Sequence, residues 1–518
     1  MSLVANESMT KIAKGTAIVL VGTMLALLFG FIGRIMVARY GTESDYGAFS
    51  LALVILNVLV VIATLGLQQG ATRYIAYFRG KDDLERVQGT ISASIIFASL
   101  ASIFLGLILF FAADIISTGI FHNPELAYPL RIFAIGVPFL TLLGIFTSIF
   151  RGFDRVEVVV CFQNILISAI FPLLLVIILL LSLPFSKVFP AYLASAILSF
   201  VAVVIYTIKR PPLSMKFALR TGVNLVGKKL LLFSLPLLSV AVLLMIIVWT
   251  DTLMLGYFKT SGVVGLYSAA HPLAQFISMP IAAMQLIYLP ITSRLYGQNR
   301  LSEIRRNYKI LTKWLCSLTL PLFLVFFLFP ESVLSFAFGA AYAPASQALR
   351  ILCLGFFVNN LLGLNNASLI ALGKSTFLMW AALAAAVINV GLNVVLIPPM
   401  GITGASIASL VAITSVNVIR AVKLYSLTRA QPLSKNLLKP TLASVALILL
   451  IYAIAENFLT VTLWMMPLFF ILYCIIYGLA ILFTRSFDQE DITVLLEIER
   501  RTRINATPIK KILARFLQ

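Results

Sequence analysis

A chain of 518 residues that is 61% apolar and only 11% charged does not fit a water-soluble fold, which runs at roughly 45–50% apolar and about 25% charged. With a mean hydropathy of +1.04, its natural solvent is the bilayer. A formal net charge of +20 suggests nucleic acid at first sight, but the basic residues fall in alternate loops between apolar runs, the positive-inside pattern, and nucleic acid is not expected as a partner.

A span needs roughly 20 apolar residues to cross about 30 Å of hydrocarbon. Runs of that kind predict helices over 15–38, 47–69, 87–113, 127–150, 156–182, 187–208, 230–256, 264–290, 310–329, 345–371, 376–397, 402–426, 440–457 and 462–484. They must be helical because lipid offers nothing to an unpaired amide. The first run is too long for a signal-peptide core and lacks a small-residue cleavage site, so it is expected to be retained. The expected fold class is therefore an all-α integral membrane protein of about fourteen transmembrane helices.

An even number of spans puts both termini on one side. Assigning that side to the cytoplasm, and counting Lys313, Arg420 and Lys423 with the cytoplasmic ends of their spans, gathers 33 of the 39 basic residues there. Three face the other side (Arg39, Lys187, Lys259) and three lie within spans (Arg34, Arg131, Arg350). The asymmetry predicts a multi-pass protein of the cytoplasmic membrane with cytoplasmic termini.

An internal repeat runs through the chain. Leu130-Arg131-Ile132, Gly136 and Leu142-Leu143-Gly144 recur 219 residues later as Leu349-Arg350-Ile351, Gly355 and Leu361-Leu362-Gly363. Gly47-x-Phe49-Ser50-x-Ala52 recurs as Gly265-x-Tyr267-Ser268-x-Ala270 at an offset of 218, and Ala191-x-x-Ala194-Ser195 as Ala405-x-x-Ala408-Ser409 at 214. A repeat of six spans must be parallel, its halves related by a pseudo-twofold axis along the membrane normal. The expected domains are an N-terminal six-helix lobe (1–208), a basic cytoplasmic linker (209–229), a C-terminal six-helix lobe (230–428), two extra helices (429–484) and a basic cytoplasmic tail (485–518). In the tail, Ile509, Ile512, Leu513, Phe516 and Leu517 share one helical face beside Lys510, Lys511 and Arg515, the pattern of a helix lying on anionic membrane lipids.

Motifs for chemistry are sparse. Gly373-Lys374-Ser375 resembles the end of a phosphate-binding loop, but Ser368 stands where its first glycine belongs, so it reads as a turn. The four cysteines (Cys161, Cys316, Cys353, Cys474) form no metal-ligand spacing. No catalytic residue, metal site or cofactor is expected, and the chain is read as a non-enzyme.

Charge inside a span costs up to about 3 kcal/mol at the helix centre and marks pathways or partners. Arg34 and Asp251 precede the repeated glycines Gly47 and Gly265 by 13 and 14 positions, so they occupy equivalent places in the two halves. They are candidates for a substrate-binding or gating pair, with a structural ion pair or a snorkelling Arg34 as the alternatives. Arg131 and Arg350 open spans 4 and 10, where they snorkel or meet headgroups. Amides concentrate in span 10 as Asn359, Asn360, Asn365 and Asn366, either as interhelical glue or as lining for a sugar cavity, since hydroxyls require both donors and acceptors. His271, before Pro272, reads as a hydrogen-bonded packing residue.

Ala38-Arg39-Tyr40-Gly41 with Asp45-Tyr46-Gly47-Ala48-Phe49-Ser50, and Gly66-Leu67 followed by Ala71-Thr72-Arg73-Tyr74-Ile75-Ala76, resemble the polysaccharide-transporter branch of the MOP superfamily. So do Asp251 to Tyr257, Val264 to Ala270, Gly339 with Tyr342, and Gly401-Ile402-Thr403-Gly404-Ala405-Ser406-Ile407-Ala408. That superfamily also holds multidrug (MATE) exporters and lipid II flippases. The resemblance implies a two-lobed, V-shaped, fourteen-helix fold, alternating access, and flipping of a polyprenyl-linked oligosaccharide or polysaccharide precursor to the outer leaflet. It names no catalytic residues. Its implied partners are a lipid-linked glycan, membrane lipids and glycan-assembly enzymes, with H+ or Na+ open as a coupling ion. Three span arginines against Asp251 suit an anionic phosphate linkage. The rival reading is a cation-coupled multidrug exporter, which would call for more membrane carboxylates; a membrane-embedded glycosyltransferase would call for larger outer loops.

Overall fold

The computed structural model describes residues 2–210, 223–432, 442, 444–446 and 471–478, and every regular element among them is helical. The chain divides into two compact units, Met1–Gly265 and Leu266–Gln518. Unit 1 holds α1 (Ser2–Tyr40), α2 (Glu43–Ala63), α3 (Leu67–Arg79), α4 (Leu84–Asp114), α5 (Ala127–Gly152), the short α6 (Val156–Val158), α7 (Ile167–Leu180), α8 (Val188–Lys209), α9 (Val223–Phe258) and the first turn of α10 (Ser261–Phe276). Unit 2 holds the rest of α10, then α11 (Met279–Gly297), α12 (Leu301–Leu328), α13 (Pro330–Ala337), α14 (Ser346–Leu362), α15 (Leu364–Ala371), α16 (Ser375–Met400) and α17 (Ile402–Thr428).

Eleven of these helical runs are long and apolar enough to cross a membrane, or twelve if α10 and α11, bent by 45° at their junction, count as one span. The predicted spans 440–457 and 462–484 and the amphipathic tail fall largely or wholly outside the described residues. Large apolar side chains point outward: along α4, Leu100, Phe104, Leu107 and Phe111 are all more than half exposed. Such a surface is stable only against lipid.

Local chemistry fixes where helices begin. Thr42 Oγ1 accepts from the Asp45 amide at 3.2 Å while the Thr42 amide donates to Asp45 Oδ2 at 2.9 Å. This reciprocal box starts α2 and satisfies its orphan donors. Asp83 caps α4 by its side chain alone, accepting from the Arg86 amide at 3.1 Å.

Several predicted boundaries need correction. The span predicted from 310 begins at Leu301, and the one predicted over 264–290 is broken between Phe276 and Met279 and runs to Gly297. Two more run well past their predicted ends. The second span does not stop at 69; after a break at Leu65 and Gly66, both at positive φ, it resumes as α3 and runs to Arg79. The polar residues of α3 depress its hydropathy, yet Leu67, Ala71, Ile75 and Phe78 recur at helical spacing and are buried together with Val226 and Leu230 of α9. The third span does not stop at 113 either. It includes Asp114 and continues through a π-helical stretch to Ile120. Arg73, Arg79 and Asp114 thus lie on membrane helices rather than in loops.

Candidate functional site

In unit 1, Arg34 stands on the last two turns of α1 and is exposed. One face of α1 is pressed on α7, where Gly33 meets Phe171 and Pro172. Its Arg34 flank turns to α2 and α8, where the guanidinium is within hydrogen-bonding reach of the buried Tyr46 hydroxyl and close to Tyr192. Ser50 also reaches the Tyr46 hydroxyl. Behind these groups Phe49 stacks on Phe171 at 5.8 Å and meets Phe133, Phe189 and Tyr192 edge-on or tilted at 6.0–6.2 Å. The arginine is therefore mounted on a rigid aromatic base and presents its remaining donors outward.

Asp251 lies on α9 at 4% exposure and is engaged by neighbouring groups. A turn further on, Gly256 packs so closely on Leu51 and Phe121 that a Cβ would stand 2.8 Å from Leu51 and 3.1 Å from Phe121.

Arg131 and Arg350, at equivalent places of the repeat, each reach an acceptor on the preceding span. Arg131, at the start of α5, is ion-paired with Asp114 at the end of α4. Arg350, near the start of α14, donates from Nε to the Phe327 carbonyl at 3.0 Å, one of the last four carbonyls of α12. Arg350 therefore sits at the C-terminal end of α12, the end that carries orphan acceptors and partial negative charge, while Arg131 meets a carboxylate six residues before its preceding span ends at Ile120. Both remain largely exposed, as snorkelling side chains do.

The span 10 amides divide. Asn360 is fully buried, and its Nδ2 donates to the Ile277 carbonyl at the bend between α10 and α11. Asn365 is fully buried and donates from Nδ2 to the Asn417 carbonyl at 2.9 Å. Asn417 Nδ2 in turn donates to Asn359 Oδ1 at 3.0 Å and to the Ile413 carbonyl at 2.9 Å. In this structure Asn359, Asn360 and Asn365 thus join helices of unit 2, while Asn366 is half-buried one residue on. Asn417, at the centre of the network, is the residue that sequence reasoning passed over. Its signal was a lone amide in the apolar run 402–426. His271 packs between the rings of Tyr267 and Phe356, both with centroids 5.7 Å away.

The repeat has a structural counterpart within each unit. Gly144 of α5 is open on the side where Gln68 of α3 arrives, an added Cβ standing 2.2 Å from its Nε2. In unit 2 the break between α14 and α15 falls at Gly363, whose carbonyl accepts from Gln285 of α11 at 3.4 Å. In both cases a glutamine beyond a break in the second span of the repeat meets a glycine of the fourth.

Among the described residues, no three His, Cys, Asp or Glu side chains gather as metal ligands. A model of the family described as polysaccharide biosynthesis protein matches residues 12–296, and one for MatE matches 236–395. An uncharacterized membrane protein of Methanocaldococcus jannaschii is 25% identical over 424 residues, covering 77% of this chain and 81% of its own. A probable low-salt glycan biosynthesis flippase, Agl15 of Haloferax volcanii, is 26% identical over 161 residues, 31% of this chain and 34% of its own. Among solved structures, the lipid II flippase MurJ in an inward closed conformation superposes with a TM-score of 0.69 at 16% identity over 89% of this chain and 97% of its own. An inward-facing MATE multidrug resistance transporter of the MOP superfamily gives 0.63 at 16% over 80% and 98%. At such identities the likeness is one of fold.

Proposed function

Since the chain belongs to the polysaccharide biosynthesis protein family, whose model matches more than half of its length, we propose that it is a flippase that carries a polyprenyl-linked glycan precursor across the cytoplasmic membrane by alternating access. The family and the MOP-type fold make it a transporter rather than an enzyme. The lipid-linked glycan is supported by the resemblance and by one partial relative, a probable glycan biosynthesis flippase.

The observation that carries the reading is Arg34, a guanidinium within a membrane helix, held by the Tyr46 hydroxyl beside Tyr192. An intramembrane charge of that kind is a functional-site candidate by default, and a planar fork of donors suits a phosphate or pyrophosphate linkage. A sugar headgroup cannot cross hydrocarbon unaided, because each unpaired hydroxyl or phosphate loses its water partners. The protein must therefore offer polar groups along a hydrated path. In this reading 1–208 and 230–428 are the two lobes, 209–229 the cytoplasmic linker, 429–484 the added helices and 485–518 the tail. Asp251 is the partner of Arg34 in an outer gate during part of the cycle.

A MatE match over 236–395, a stretch that contains the buried Asp251, favours cation-coupled export of small molecules as the second reading. One experiment separates them. Cells lacking the protein are expected to hold lipid-linked glycan in the inner leaflet and to tolerate cationic dyes normally. Dye sensitivity with intact surface glycan would select the exporter.

A further inference from the structure

Towards the opposite end of unit 1 from Arg34, a second arginine, Arg73, stands on a membrane helix, α3. On α3, Gly66 and Gly70 lie against α9 so tightly that a Cβ at Gly66 would stand 2.2 Å from the Ser234 carbonyl oxygen, and one at Gly70 2.1 Å from Ser234 Oγ. This close seam aligns the next turn of α3 with the next turn of α9. Arg73 consequently lands over the Phe233 ring at 4.2 Å, with the Tyr74 ring 5.2 Å away. Tyr74 itself meets Phe233 edge-on at 5.5 Å.

The charges around it are mostly spoken for. Arg79 is paired with Asp154 and also donates to the Gly152 carbonyl at 3.2 Å. Arg86 pairs with Asp83 at 3.4 Å. Lys81 stands over Tyr77 at 4.6 Å. Asp82, Glu85, Lys228 and Lys229 are exposed at the same end. Among the described residues no carboxylate lies within ion-pairing distance of Arg73. Yet Arg73 belongs to the span Glu43–Arg79, six residues or about 9 Å of helix rise from its end. A guanidinium stacked on aromatic faces keeps all five N–H donors in its plane available. Stacking orients it and leaves its edge for a planar, doubly accepting partner.

We propose that Arg73, seated on Phe233, binds the phosphate of the lipid carrier at the inner-leaflet end of the path, so that the substrate engages one arginine before it reaches Arg34. The shared chemistry is a phosphate ester at the depth of the headgroups. An isoprenoid phosphate and a bulk anionic phospholipid both supply it, and the site is assigned to the isoprenoid phosphate. The proposal rests on the flippase reading for its place in the cycle, but its test is a binding measurement that does not depend on transport.

The purified full-length protein in nanodiscs is titrated with a polyprenyl monophosphate, with and without excess phosphatidylglycerol, and separately with inorganic phosphate. Wild type is expected to bind the polyprenyl phosphate with little competition from phosphatidylglycerol. Arg73→Ala should weaken binding at least about tenfold, roughly 1.4 kcal/mol; Arg73→Lys and Phe233→Leu should fall between. Arg79→Ala, which removes a charge already paired, should bind as wild type. Thermal unfolding of each variant checks that the fold is kept. Wild-type affinity in Arg73→Ala, or equal competition by phosphatidylglycerol, would overturn the proposal. Loss of binding in Arg73→Ala together with normal surface glycan would leave this site standing and sink the flippase reading instead.

Discussion

Gly47 and Gly265, equivalent positions of the internal repeat, lie against each other in a reciprocal crossing of α2 and α10. A Cβ on Gly47 would stand 1.7 Å from the Ser261 carbonyl oxygen and 2.8 Å from the Gly265 nitrogen; a Cβ on Gly265 would stand 2.0 Å from the Glu43 oxygen and 3.1 Å from the Gly47 nitrogen. Each glycine therefore meets the residue four before the other, and both pairs are separated by 218 positions. Such a self-complementary contact is what a local twofold axis produces. It also brings backbones closer than any side chain permits, as small residues do between membrane helices.

Any side chain at this crossing should force the two helix ends apart. Ser44 and Gly262 flank it, with the Ser44 nitrogen 4.0 Å from a Cβ at Gly262. In a background without the four native cysteines, Ser44→Cys with Gly262→Cys should cross-link readily. Adding Gly47→Val or Gly265→Val should cut the yield sharply and impair transport. Undiminished cross-linking would mean that the crossing yields without separating.

Asn417 should prove to be a stability residue. Replacing it with Leu takes the donor from half-buried Asn359 Oδ1 and a 3.5 Å side-chain contact from Asn365 Nδ2, which keeps its bond to the residue 417 carbonyl. An unpaired buried polar group costs about 1–3 kcal/mol in general, nearer 0.6–2 between membrane helices. The measurement is thermal unfolding in detergent. Asn417→Leu should melt lower than wild type, and Asn366→Leu, half-buried beside the network, should shift it less.

How much of this was legible in the sequence depends on the scale of the signal. The repeat was readable because Leu130-Arg131-Ile132 and Leu349-Arg350-Ile351 keep residue types whose environments also match: each leucine is fully buried and each arginine reaches an acceptor on the preceding span. The spans were readable because hydrocarbon imposes a length. α3 was not, since a helix that buries only one face mixes Arg73 and Gln69 among its apolar positions and falls below a span-length hydropathy average. The junction at Gly363 was hidden because the stretch 345–371 has the length of one span, and the contact its carbonyl makes with Gln285 comes from another helix. Asn417 was missed because an isolated amide in an apolar run says nothing of its partners.

Arg131 and Arg350 should matter little to transport if their role is to tie neighbouring spans together. Arg131→Gln removes a largely exposed ion pair with Asp114, worth about 0.2–1 kcal/mol. Arg350→Gln removes a hydrogen bond to the Phe327 carbonyl. Both variants should melt slightly below wild type and keep near-normal surface glycan. A large loss of transport with unchanged melting would assign them to the substrate path.

Topology follows from charge. Single cysteines at Lys187 and Lys259 should react with an impermeant reagent applied outside intact cells, while one at Lys216, in the basic stretch 209–229 outside the described residues, should not. The expected arrangement gathers 33 of 39 basic residues on one side, and inversion would oppose that whole positive-inside bias. Equal labelling of all three would remove the fourteen-span arrangement.

Arg34 carries the sharpest expectation about substrate. Its guanidinium is held by Tyr46 and lies near Tyr192, so removing the Tyr46 hydroxyl should loosen its aim while keeping its charge. If the linkage it meets is a phosphate ester, geometry as well as charge contributes, because a bidentate fork fits two phosphate oxygens and an ammonium fits one. Affinity for a polyprenyl pyrophosphate-linked glycan should then fall in the order wild type, Tyr46→Phe, Arg34→Lys, Arg34→Ala, with the last weaker by at least about tenfold, or 1.4 kcal/mol. Arg34→Glu should abolish transport, and Arg34→Asp combined with Asp251→Arg should restore part of it if the two meet as a gate. Should Arg34→Lys and Arg34→Ala bind equally well as wild type, Arg34 is a snorkelling anchor, and the phosphate must be recognised elsewhere along the path.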